Sequence, residues 1–138
     1  MIILDTNVIS ELMRATPATA VVRWMNGQPA TSLYLTSITQ AEILHGIQFL
    51  PRGKRRDAIA AAAAAVFEQD FAGRVLPFGS DAAVTYAGIA AARRRAGRPI
   101  SGFDAQIAAI ARAHDADLAT RNVDDFEGCG VDVIDPWA

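Results

Sequence analysis

A three-layer α/β/α domain, built on a mostly parallel central sheet of about five strands, is the fold class this sequence predicts. Three observations predict it. Short apolar runs alternate with longer stretches of helical spacing, so successive strands need crossovers and pair in parallel. Polar residues gather directly after the apolar runs, where open parallel sheets bind their ligands. Finally, 138 residues that are 51% hydrophobic and 20% charged suit one domain, spanning residues 1–138, with a substantial buried core.

The elements follow in order. Met1–Leu4 is an apolar run stopped by Asp5-Thr6-Asn7 and reads as a buried first strand. Helical spacing covers Val8–Met13 and Ala18–Asn26. Ser32–Thr36 is β-rich and reads as the second strand, and Thr39–Leu50 as a helix closed by Pro51 and Gly53. Arg56–Phe71 reads as a long alanine-rich helix, and Gly73–Phe78 as a short strand or extended turn. Ser80-Asp81 can cap a helix to Ala96, with Gly97 just past its end. Ser101 opens a helix to His114, and Asp117–Thr120 and Val131–Ile134 are the last strands.

Several classes are excluded. The longest uninterrupted apolar run, Ala58–Phe67, is about half of what a membrane span needs. The opening residues have no basic leader and are not expected to be a secretory signal. The lone Cys129 has no intrachain partner and fits a reducing, cytoplasmic setting. Neither G-x-x-x-x-G-K-S/T nor G-x-G-x-x-G after a strand occurs, and His45 and His114 are isolated from each other and from Cys129. His114 reads as a surface residue at a helix end, and Trp24 and Trp137 as core anchors. Net charge is −2, yet Arg52-Gly53-Lys54-Arg55-Arg56 and Arg93-Arg94-Arg95 with Arg98 concentrate the cations in two stretches. These read as solvated helix ends or as contacts for a polyanion's backbone.

At the predicted strand ends, Asp5, Glu42 and Asp104 converge if the topology holds, with Asn122 or Asp125 beside them. A plain structural role competes for two of these acids. Thr39-Gln40-Ala41-Glu42 fits a capping box, Ser101–Asp104 fits one loosely, and so does Asn122 with Asp125. Asp5 ends an apolar strand where no cap is obviously needed. Several carboxylates in one cleft repel one another unless a divalent cation neutralises them, and an all-oxygen donor set suits Mg²⁺ or Mn²⁺.

Five segments carry a resemblance over essentially the whole chain: I-L-D-T-N-V-I-S-E-L, T-S-I-T-Q-A-E-I-L-H-G-I, F-D-A-Q-I-A-A-I-A, L-A-T-R-N-V-D-D-F and the closing I-D-P-W. In this order they resemble the PIN-domain ribonuclease toxins of the VapC/FitB type. The resemblance implies a Mg²⁺-dependent endoribonuclease (Mn²⁺ as an alternative ion), acting on RNA and inhibited by a cognate antitoxin protein. It further implies a homodimer that assembles with antitoxin and meets operator DNA only through it, with no membrane association. Asp5 and Asp104 match the metal-binding aspartates, and Glu42 the third acid. Thr6 and Asn7 match the pair that orients Asp5; Ser37 and Thr120 match hydroxyls near the pocket. Asn122 stands where several members carry a fourth aspartate, and Asp125 is a candidate to supply the missing charge. A catalytically weak PIN-like module that binds RNA or protein is the alternative, and a phosphatase with Asp5 as nucleophile is a third reading. Asn7 disfavours that third reading, because it stands where such enzymes place a second aspartate.

Overall fold

The computed structural model describes all residues, 1–138. Its elements are β1 (Ile2–Leu4), α1 (Thr6–Leu12), α2 (Thr19–Asn26), β2 (Leu33–Thr36), α3 (Ser37–Gln48), α4 (Lys54–Ala65), β3 (Val75–Leu76), α5 (Ser80–Arg95), α6 (Gly102–Ala113), β4 (Asp117–Ala119) and β5 (Val133–Ile134). The five strands form one sheet in the order β3-β2-β1-β4-β5, and every pairing is parallel. The chain thus builds outward from β1 on one side, then crosses back to build outward on the other. The crevice at the carboxyl end of β1 is the switch point of the sheet, the preferred ligand position in such folds.

Side-chain alternation along the strands divides the core in two. Ile3 and Leu118 face the α5–α6 layer with Ile89, Ile107, Ile110, Phe126 and Cys129. Leu4, Leu33, Leu35 and Ala119 face the other layer with Val8, Ile9, Val21, Ile47, Phe67 and Phe71. Helix α6 is buried at Ala105 and over Ile107–Ala111, while its first turn, with Asp104, stays near the surface.

The element order matches the sequence expectation, with three local corrections. The helix expected over 56–71 is α-helical only over Lys54–Ala65; a π-helical turn follows over Val66–Asp70. Its widened hydrogen bond runs from the Phe71 N–H to the Val66 carbonyl at 2.9 Å, and Phe67 and Phe71 are both buried. Ser80 does not cap α5: Gly79 occupies the cap position, and Asp81 Oδ1 instead accepts from the Ala82 N–H at 2.7 Å. The Arg93–Arg95 run is not uniformly solvated. Arg93 is 7% exposed, and its guanidinium donates to the carbonyls of Arg98 (2.7 Å), Asp125 (2.8 Å) and Glu127 (2.9 Å). Gly97 ends α5 with φ of 73°, as its position past the helix implies.

Candidate active site

Thr6, Asn7, Ser10, Glu11, Arg14, Glu42, Asp104, Arg121, Asn122 and Trp137 line, together with Asp5, a cleft of about 410 Å³ at the carboxyl end of β1. β1 and α1 bring Asp5, Thr6 and Asn7; α3 brings Glu42; the first turn of α6 brings Asp104; the turn after β4 brings Asn122. Ser37 opens α3 outside this cleft. Asp125 lies in a neighbouring depression with Asp124 and Asp135.

Asp5 is 4% exposed, and each oxygen is held. Oδ1 accepts from the Thr6 N–H at 2.8 Å. Oδ2 accepts from the Thr120 hydroxyl at 2.8 Å and from Asn7 Nδ2 at 3.4 Å. Thr120 Oγ1 in turn accepts from Asn7 Nδ2 at 3.2 Å and from the Asn122 N–H at 3.1 Å. A second network holds Glu42. The Thr6 hydroxyl donates to Glu42 Oε1 at 2.8 Å and lies 2.9 Å from the Thr39 hydroxyl. Thr6 has one hydroxyl proton, so Thr39 is the donor of that pair.

The two capping expectations exchange places. β2 runs on to Thr36, so Thr36 caps α3 by accepting from the Thr39 N–H at 3.1 Å. Thr39 lies inside the helix, and the box with Glu42 does not form, which leaves the Glu42 carboxylate to the cleft. Asp5, by contrast, is the cap of α1. Ser101 caps α6 as expected, accepting from the Asp104 N–H at 3.2 Å. Asn122 makes no side-chain cap.

Burial pushes the Asp5 carboxyl up to about 6; its bonds from Thr120 and Thr6 oppose the rise, and the charges of Asp104 and Glu42 add to it. Burial also raises Asp104, opposed by Ser101, with Asp125 raising it further and Arg93 lowering it. A bare anion at Asp5 is therefore disfavoured by both its surroundings and its neighbours. The donor set fits a hard cation: every cleft acid offers oxygen, and Mg²⁺ is commonly held by one or two carboxylates with waters completing its shell. No three His, Cys, Asp or Glu side chains converge tightly enough to enclose an ion unaided, so an ion here would keep waters in its shell beside the cleft carboxylates.

The raised pKa sets a pH dependence. The native state of the metal-free protein holds the Asp5 proton more tightly than the unfolded chain, so stability is full at low pH and is lost as pH rises through about 6. Denaturant melts in chelator should show a fall of about 1.5 kcal/mol between pH 5 and 8, the upper part of a loss that begins near pH 4. Asp5→Asn should flatten that profile; a wild-type profile that rises over this interval would exclude it.

Sequence reasoning missed five cleft residues: Ser10, Glu11, Arg14, Arg121 and Trp137. Asn7, Ser10, Glu11 and Arg14 fall at i, i+3, i+4 and i+7, a polar stripe at helical spacing that was available as a signal. Glu11 is 7% exposed, accepts from the Ala18 N–H at 3.0 Å and pairs with Arg14 at 3.3 Å. Trp137 packs partly on the core, and its ring also carries the Arg121 guanidinium, with Cζ 5.2 Å from the ring centroid.

Fold and cleft together define a parallel α/β protein with an acid-lined crevice at its switch point. The family described as PIN domain matches residues 2–128. VapC ribonuclease Y4jK of Sinorhizobium fredii is 44% identical over 137 residues, 99% of this chain and 98% of that protein. Toxin FitB of Neisseria gonorrhoeae is 38% identical over 137 residues, 99% of each chain. The solved structure of FitAB bound to an IR36 DNA fragment superposes with a TM-score of 0.94 at 38% identity, covering 100% of this chain and 96% of that one. The chain belongs to the PIN-domain family, within its VapC/FitB type.

Proposed function

We propose that the protein is a Mg²⁺- or Mn²⁺-dependent endoribonuclease, the toxin of a toxin–antitoxin pair, working as one domain over residues 1–138 in the cytoplasm. One observation carries this reading: Asp5, Glu42 and Asp104 come from three separate elements to one cleft, where burial and the neighbouring charges disfavour a bare anion at Asp5. The ribonuclease and toxin names of full-length relatives support it.

Asp5 and Asp104 would hold the ion, and Thr6, Asn7 and Thr120 keep the Asp5 carboxylate aimed by hydrogen bonds to both oxygens. A bound Mg²⁺ or Mn²⁺ supplies Lewis-acid polarisation of the scissile phosphate. Glu42, held by the Thr39–Thr6 hydroxyl pair, orients the attacking water and accepts its proton. Asn122 faces the same cleft as a neutral polar contact for the phosphate. The antitoxin partner is read from the FitAB complex, whose DNA-bound form supports operator contact through the antitoxin of a hetero-oligomer. An arginine from the antitoxin entering the acid cleft would neutralise it and exclude RNA.

The purified protein is expected to cleave structured RNA with Mg²⁺ or Mn²⁺ and to stop in EDTA, recovering when the ion is restored. Cleavage indifferent to chelator would reject the mechanism. A binding module without turnover has one observation in its favour, the absence of three converging metal-holding side chains; it predicts RNA retention and no products with either ion.

A further inference from the structure

The acid cleft repels the polyanion it is proposed to cut, so the cations on its walls decide where the strand lies. Two arginines line it, Arg14 and Arg121. Arg14 is engaged, 3.3 Å from Glu11 Oε1. Arg121 is not: the chain has two ion pairs, Arg14–Glu11 and Arg98–Glu127, and Arg121 is in neither. Its backbone N–H donates to Asn7 Oδ1 at 3.3 Å, and its guanidinium rests over Trp137; no side-chain N–H is given to a protein acceptor. Trp137 is anchored by its backbone N–H, which donates to Asp135 Oδ1 at 2.9 Å, and by packing against the core.

We infer that Arg121, carried on the indole of Trp137, is the contact for an RNA phosphate adjacent to the one being cut. The inference rests on the nuclease reading above. A guanidinium over an aromatic face is pre-positioned at little entropic cost, and its planar fork suits two phosphate oxygens. Its tether to Asn7 ties it to the residue that also bonds Asp5, so the phosphate contact and the acids are held in one register. Trp137 is a positioning residue: it acts through Arg121. An acidic protein segment is the poorer occupant, because its carboxylates would enter beside Asp5, Asp104 and Glu42 without a scissile group to justify a cation there.

The test compares steady-state cleavage of a short single-stranded RNA in Mg²⁺ by the wild type, Arg121→Ala, Arg121→Lys and Trp137→Leu. Arg23→Ala, exposed on α2 outside the cleft, controls for net charge. Equilibrium binding of the same RNA is measured in the Glu42→Gln background, which keeps the strand intact. Arg121→Ala is expected to raise KM about tenfold with kcat within about twofold, one charged contact's worth. It should also reduce the log–log salt slope of binding by about 0.7, one phosphate on a single strand. Arg121→Lys should restore the slope but not the full KM, and Trp137→Leu should raise KM with the slope retained. Arg121→Ala at the surface keeps the test open if Trp137→Leu fails to fold. Wild-type KM and slope in Arg121→Ala, or an equal loss in Arg23→Ala, overturns the inference while leaving the nuclease reading intact. Loss of binding to an acidic protein with RNA binding unchanged also overturns it. A wild type that neither binds nor cleaves RNA with metal present removes both.

Discussion

Asp5→Asn and Asp104→Asn are each expected to lower RNA cleavage by roughly a thousandfold or more while the protein stays folded. Asparagine keeps an oxygen for the Thr6 N–H that Asp5 now caps, but it loses the charge proposed to hold a divalent ion. The second oxygen becomes an NH2 group facing the Thr120 hydroxyl and Asn7 Nδ2, so the aim of the remaining carbonyl also slackens. Stability moves the opposite way from activity. Removing a buried anion whose pKa stands near 6 should leave the variant no less stable than the metal-free wild type at pH 8. Cleavage assays in Mg²⁺ alongside thermal melts read both effects. Activity that survives both substitutions would mean that the reaction centre lies elsewhere.

Arg93→Ala is expected to destabilise the protein by about 3 kcal/mol, lowering Tm by roughly 10 °C. The guanidinium is buried, and three carbonyls from Arg98, Asp125 and Glu127 depend on it. Truncation leaves those oxygens without their donor and opens space beneath the turn that carries Asn122. Arg93→Lys should recover less than half of the loss, since one ammonium on a flexible stem cannot reproduce a fork spanning three acceptors. Denaturant melts at fixed pH decide it. A change under about 1 kcal/mol would show that water satisfies those carbonyls equally well.

Legibility in the sequence differed by residue for identifiable reasons. Asp5, Glu42 and Asp104 were recognisable because strand ends and first helical turns are marked locally, and a parallel sheet then brings them together. Which hydroxyl caps α3 was not legible: Thr36 and Thr39 both suit the position, and the choice depends on how far β2 remains extended. Asp5 looked free of capping duty because α1 starts directly after it, with no intervening turn to announce a helix. Arg93 looked like its neighbours Arg94 and Arg95, since nothing in a run of arginines says which one faces inward. The Arg121–Trp137 pairing joins residues on either side of β5 and exists only once that strand is placed.

The bond between Asp5 and Thr120 joins positions 115 residues apart, and this has a meaning in time. During synthesis at about 5–20 residues per second, β1 leaves the ribosome roughly 6–20 s before the strand it must pair with. Until β4 arrives, Asp5 has no Thr120 and Asn7 no Arg121 backbone, so a nascent or prematurely terminated chain lacks the aimed carboxylate. The cleft is thus a property of the assembled sheet, and no fragment that stops before β4 can hold its central carboxylate in place.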